Sequence, residues 1–161
     1  MRAAVDASPL IYLTKIGELR LLRQYDEVLA PPEVIAEVER GLESGHPEAL
    51  EVRKLVEDGS LQIRKAGRPR TEWALDRGEA AVLALALSLR VDEVVTDDRA
   101  AIGVAKYLGL KPVSVPFLLL RERRAGRMTQ SAFEAALRRL LTAGYYLSPE
   151  LHHRLVEAGR D

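Results

Sequence analysis

Asp6 stands where an apolar run ends and a helix begins. Ala3, Ala4 and Val5 lack alternation, as expected of a strand covered on both faces in a parallel sheet. Ser8 and Pro9 then fit the N-cap and first position of a helix carrying Leu10, Ile11 and Leu13. In open α/β sheets the binding crevice lies outside the carboxyl ends of the strands, so a carboxylate at this junction is placed to anchor a site. Acids recur at equivalent points. Asp97 and Asp98 end the strand Val94–Thr96, Glu79 lies in the first turn of a helix opened by Asp76, and Glu37 precedes Val38 of an apolar helix stripe. Carboxylates gathered on one crevice suit hard divalent cations such as Mg²⁺ or Mn²⁺, which bind few protein oxygens and several waters. Two such ions can activate water and stabilise the leaving oxygen in phosphodiester cleavage.

Each acid also has a plainer explanation. Asp6, Asp97 and Asp98 can cap helices, Asp76 and Glu79 match a D-x-x-E capping box, and Glu37 can be a solvated helix residue. The signal is the set, not any member. Other chemistries lack their parts. There is no cysteine, hence no disulfide, thiolate site or cysteine nucleophile. His46, His152 and His153 have no spacing for zinc or a catalytic dyad, and no P-loop or G-x-G-x-x-G occurs. The formal net charge of +0 means that nucleic acid must be held by a local patch rather than a broad field. No apolar run approaches the roughly 20 residues of a membrane span, and a cytoplasmic location is expected.

The elements alternate. A short helical stretch over Leu19–Tyr25 precedes the strand Val28–Ala30. Pro32 opens a helix to about Glu43, with Val34, Ile35, Val38 and Leu42 as its stripe. Glu48–Glu57 is helical, with Leu50, Val52, Leu55 and Val56 inward, and Leu61–Arg64 alternates as an exposed strand. The irregular stretch 66–75 carries Arg68, Arg70 and Trp73. The helix from Asp76 to Leu89 is apolar nearly all round, which predicts central burial. Arg99–Leu108 is the next helix, Val113–Val115 a strand, and Pro116, Thr129 and Ser148 open three more helices, with Gly144 and Gly159 past the ends of the last two. The alternation predicts one α/β domain over residues 1–161, with a parallel sheet of four to five short strands flanked by helices.

The stretches VDASPLIYL (5–13), PPEVIAEV (31–38), LDRGEAAVLALAL (75–87), VVTDDRAAIGVAKYLGL (94–110) and GYYLSPELHHRLVEAG (144–159) together resemble the PIN-domain nucleases, in their short VapC-like prokaryotic branch. The resemblance implies a metal-dependent ribonuclease using Mg²⁺ or Mn²⁺. It gives Asp6, Glu37 and Glu79 to three of the family's four metal-ligand roles. The fourth falls to Asp98 on the family's T-x-D pattern, with Asp97 kept as a second ligand or orienter. Toxins of the family are commonly paired with an antitoxin protein and dimerise, so an antitoxin and a homodimer are implied as partners. Leu137, Leu140, Leu141, Tyr145, Tyr146 and Leu147 are expected to help cover such an interface. For the RNA backbone, Arg77 and Arg99 beside the acids, with Ser8, are the first candidates; the Arg121, Arg123, Arg124 and Arg127 cluster reads better as a solvated helix end.

Three rivals remain. A haloacid-dehalogenase phosphatase needs a second acid two residues after the first, where Ser8 stands. A response-regulator receiver needs paired acids after the first strand, whereas the pair here comes late. A non-catalytic PIN-like protein-binding module is compatible with all of these residues.

Overall fold

Small apolar residues without alternation are best satisfied in the middle of a parallel sheet, and Ala3, Ala4 and Val5 have no exposed surface at all. The computed structural model describes residues 1–161, apart from the side chain of Leu42. The expected place of Leu42 in a helix stripe therefore lies outside the described residues. Arg2–Val5 (β1) is the central strand of a wholly parallel sheet. Glu27–Ala30 (β2) and Glu93–Val95 (β4) flank it, and Gln62–Ile63 (β3) and Pro112–Val113 (β5) form the edges, in the order β3-β2-β1-β4-β5. Ala4 pairs with Leu29 on one side and Val94 on the other. The order reverses between β1 and β4, which opens a crevice at their carboxyl ends.

Eight helices surround the sheet: Ala7–Lys15 (α1), Pro32–Glu43 (α2), Glu48–Glu57 (α3), Arg77–Leu89 (α4), Arg99–Tyr107 (α5), Val115–Arg124 (α6), Gln130–Thr142 (α7) and Pro149–Arg160 (α8). Helix α4 is buried at every residue from Ala80 to Ala86. It packs on β1, α2 and α5, and its four alanines in that span let neighbouring backbones come close. At the amino end of β4, the buried Glu93 accepts hydrogen bonds from Tyr25 Oη and from Arg121 Nη2 at 2.9 Å, and pairs with Lys111 Nζ at 2.8 Å. Those contacts tie β4 to the start of β2, to β5 and to α6.

Several expectations are corrected. Helix α1 begins at Ala7 with Asp6 as its cap, not at Ser8–Pro9. Pro9 still falls in the first turn, where a missing N–H costs nothing. Leu50 is 46% exposed, because the buried face of α3 runs through Ala49 and Val52. The last strand is shorter than expected, since α6 already starts at Val115. Gly159 lies inside α8, where a Cβ would stand 2.8 Å from the Phe133 ring; it serves close helix packing rather than helix termination. Leu137 and Leu140 are fully buried within the chain, leaving Leu141 and Tyr146 as the exposed members of the expected interface set.

The loop between β3 and α4 rests on α4 through Gly67. Its φ is +75°, and a Cβ there would lie 2.3 Å from the Ala84 carbonyl oxygen. Gly17 has a similar φ of +71° with nothing within 4 Å of such a Cβ. Gly17→Ala is expected to cost about 1–2 kcal/mol for the left-handed backbone alone. Gly67→Ala adds overpacking, for a total of roughly 2–5 kcal/mol. Denaturant unfolding of both variants checks this, and equal losses would show that the loop does not depend on that contact.

Candidate active site

Three helices point their amino ends at the carboxyl edge of the sheet, and each is capped by an aspartate. Asp6, only 3% exposed, accepts a hydrogen bond from the Ala7 N–H at Oδ1 (2.8 Å) and from the Thr96 hydroxyl at Oδ2 (3.1 Å). The same Thr96 oxygen accepts from the Asp98 N–H at 3.3 Å, and Asp98 Oδ1 caps α5 by accepting from the Ala101 N–H at 2.8 Å. Asp76 Oδ1 accepts from the Glu79 N–H at 2.8 Å while Glu79 Oε2 accepts from the Asp76 N–H at 3.2 Å, which completes the capping box of α4. The plain reading of these acids as caps is therefore structurally true. It does not remove them from the crevice, because a helix amino terminus is where the backbone best tolerates negative charge.

Glu37 reaches the group from α2. Its Oε2 lies where a Cβ on residue 78 would come within 2.8 Å, so Gly78 in the first turn of α4 leaves room for it. Burial pushes the Asp6 carboxyl up to about 6, with the charges of Glu37 and Asp76 adding to the rise; the bonds from Ala7 and Thr96 oppose it. Burial likewise raises Glu79 to about 7, reinforced by Asp76, Asp98 and Asp6. Glu37 is raised by burial and then by Asp76, with Arg40 partly offsetting.

Elsewhere, the buried glutamates are salt-bridged. Glu18 pairs with Arg20 and Arg139, Glu48 with Lys15, Glu93 with Lys111 and Arg121, and Glu122 with Arg20 and Arg127. Among the described residues, Asp6, Glu37, Asp76, Glu79 and Asp98 form no salt bridge, and neither does Asp97.

Asp97 is engaged elsewhere. Its Oδ1 accepts from the Val115 N–H at 3.0 Å and from Tyr145 Oη, and its Oδ2 is buried without a partner. Burial raises its pKa. Asp97 thus ties the end of β4 to the start of α6 and to Tyr145. Successive side chains of extended backbone point to opposite sides, so the T-x-D pattern sends Thr96 and Asp98 one way and Asp97 the other.

Sequence reasoning treated Asp76 only as half of a capping box and gave Thr96 no role. The Thr-x-Asp spacing carried the signal for Thr96; nothing local marked Gly78. As the side chains stand, no three His, Asp or Glu among the described residues converge to hold a metal ion, since the cap oxygens are turned to backbone N–H groups. The donor chemistry nevertheless fits a hard divalent cation: the group consists of carboxylates, and it lacks countercharge.

Two clefts flank the acids. One, of about 300 Å³, brings Arg77 together with Arg40, Lys65 and Gly78. The other, of about 530 Å³, contains Ser8, Asp98, Arg99 and Tyr146. A further cleft of about 490 Å³ beside Tyr25 and Glu27 lies at the amino end of β2 and holds none of these acids.

The profile of a protein family described as a PIN domain matches residues 2–159. Among solved structures, the chain is similar to a PilT N-terminus domain protein from the hyperthermophilic archaeon Sulfolobus solfataricus P2. That match has 20% identity and a TM-score of 0.52, over 73% of this chain and 90% of the other. A domain of a functionally unknown protein from Methanocaldococcus jannaschii DSM 2661 matches at 20% identity with a TM-score of 0.49, over 71% and 90%. No curated protein matches the chain.

The raised pKa values have a consequence for stability. Folded Asp6 keeps its proton to about pH 6, whereas the unfolded residue releases it near 3.8. The folded state therefore binds more protons across that interval, so this contribution is fully present below the lower pKa and is lost as pH rises through the upper one. In chelator, the parent is expected to lose melting temperature relative to Asp6→Asn as pH rises from about 4 to about 7. The variant keeps a capping oxygen for Ala7. Thermal melts of both across that range check this, and parallel curves would show that Asp6 carries no electrostatic strain.

Proposed function

The chain belongs to the PIN-domain family, and from that premise we propose that it is a divalent-metal-dependent ribonuclease that hydrolyses RNA phosphodiesters. Asp6, Glu37, Glu79 and Asp98 are its catalytic carboxylates and metal-binding residues. PIN domains are generally nucleases. The observation that carries the reading to this chain is the contrast in countercharge. Four buried glutamates elsewhere are salt-bridged, while among the described residues the crevice acids form no salt bridge and two are raised toward neutral pKa values.

Mg²⁺ or Mn²⁺ bound there would supply that countercharge, polarise the phosphate and lower the pKa of a bound water. Asp6 is held by two hydrogen bonds, so its carboxylate is already positioned. Asp98 is indexed to it through Thr96. Glu37 and Glu79 complete the acid set and orient the attacking water. Asp97 positions α6 and Tyr145 rather than the reacting groups. Arg77 and Arg99, on opposite flanks, are placed to hold phosphates on either side of the scissile bond, with Ser8 beside Arg99. A toxin's role in the cytoplasm, with an antitoxin protein and a homodimer as partners, is the finer form of this proposal and rests on the resemblance.

One observation favours a second reading, a non-catalytic PIN-like protein-binding module: the acids are engaged as caps and do not converge as they stand. Incubating the purified chain with structured and unstructured RNAs, in Mg²⁺ or Mn²⁺ and in chelator, separates the two. Metal-dependent cleavage is expected, with Asp6→Asn and Asp98→Asn each losing on the order of 10²-fold or more. Both substitutions retain a capping oxygen. Cleavage undiminished in Asp6→Asn overturns the catalytic assignment, and absence of metal-dependent cleavage across the panel favours the module.

A further inference from the structure

The cleft of about 530 Å³ on the α5 side extends from Asp98 away from the other crevice acids. Its lining includes Ser8 and Asp98, shared with the site, together with the rings of Tyr12, Phe117, Tyr145 and Tyr146. Tyr146 is 72% exposed and Phe117 49% exposed, yet both line the cleft. These large rings, left in solvent, contrast with Leu137, Leu140 and Phe133 nearby in sequence, which are fully buried. The exposure of Tyr146 follows from its neighbour. Tyr145 is anchored inward, donating its hydroxyl to Asp97 and meeting Tyr12 edge to face at 5.0 Å between ring centroids. With Tyr145 fixed, the adjacent ring is presented outward on the short connection between α7 and α8. The Arg99 guanidinium carbon lies 6.0 Å from the Tyr146 ring centroid. An aromatic face and a cation therefore adjoin one another beside the site's own Asp98.

We propose that this cleft binds an unpaired nucleoside next to the scissile phosphate, with its base stacked on Tyr146 and its phosphate held by Arg99. Bases of single-stranded RNA stack on exposed aromatic rings whatever their identity, whereas bases in a duplex are already stacked and paired. The continuity of the cleft with Asp98 and the cation beside the ring favour a nucleotide over an apolar peptide. A peptide would gain nothing from that charge and would have to cover the polar floor formed by Ser8, Asp98 and Ser148. The inference rests on the nuclease reading for the identity of the occupant, but its test reads binding and not cleavage.

The experiment is fluorescence anisotropy of the full chain with a labelled single-stranded RNA octamer, an abasic octamer with the same backbone, and an RNA duplex. Ca²⁺ serves as the divalent ion, and gels confirm that the RNA stays intact. The parent is expected to bind the single strand more tightly than the abasic strand or the duplex. Tyr146→Ala should weaken single-strand binding about 10-fold, with no change for the abasic strand, and Tyr146→Phe should stay within about 2-fold because the stacking face remains. Arg99→Gln should weaken both single strands and flatten the salt dependence by about one charge. Equal parent affinity for base-bearing and abasic strands, or an unchanged Kd in Tyr146→Ala, overturns the proposal. So does a Tyr146→Ala chain that changes oligomeric mass but not RNA affinity, which would assign the ring to a second copy. Failure of cleavage with these binding results intact would overturn the nuclease reading and leave the nucleoside cleft standing.

Discussion

The carboxyl edge of the sheet depends on how one buried, unpaired carboxylate is tolerated. Asp6 is 3% exposed and, among the described residues, forms no salt bridge. Taking such a charge out of water costs several kcal/mol. Two hydrogen bonds to it recover about 1.5–3 kcal/mol each, and the amino end of α1 adds up to about 2. These terms offset only part of the cost of burial, and the charges of Glu37 and Asp76 add to it. The remainder appears as proton affinity, with the carboxyl raised to about 6. A site left in that condition accepts either protons or a cation.

The fold keeps the group assembled by spreading it over separate elements. Asp6 and Thr96 end neighbouring parallel strands, so their hydrogen bond crosses the switch point of the sheet. Asp76 and Glu79 arrive on α4, whose alanine-rich body lies against β1. Glu37 arrives on α2, its Oε2 filling the space that a side chain at residue 78 would take. Asp6, Asp76 and Asp98 each cap a helix and Glu79 closes the capping box of α4, so these four are tied to helix ends.

The opposite edge shows what the same chain does with a carboxylate that has only a structural task. Glu93, on the same strand as the approach to Thr96, is surrounded by Tyr25, Lys111 and Arg121. The two ends of β4 thus carry buried acid on opposite electrostatic terms. On a strand of three residues, the acid at one end is salt-bridged and those at the other are not. The arginines nearest the site, Arg77 and Arg99, lie in the flanking clefts without salt-bridging its acids, which leaves them free for an anionic ligand.

Much of this was legible locally. The strand Ala3–Val5, the capping box at Asp76 and Glu79, the buried helix α4 and the parallel alternation are written in near-neighbour patterns, because N-caps and helix periodicity are contacts over three or four residues. The same locality misplaced the start of α1, where Ser8 and Asp6 were both competent caps, and misjudged Gly159, whose reason is the Phe133 ring on another helix. Only tertiary structure showed that Asp97 is bonded to Val115 and Tyr145, far along the chain, while Asp98 caps α5. It also decided which apolar residues of the last helices are covered and that Tyr146 is not. Sequence determined which acids exist and which element carries each. The direction in which they point, and the lack of a salt bridge to them among the described residues, came from packing, because burial and countercharge belong to neighbours in space rather than in sequence.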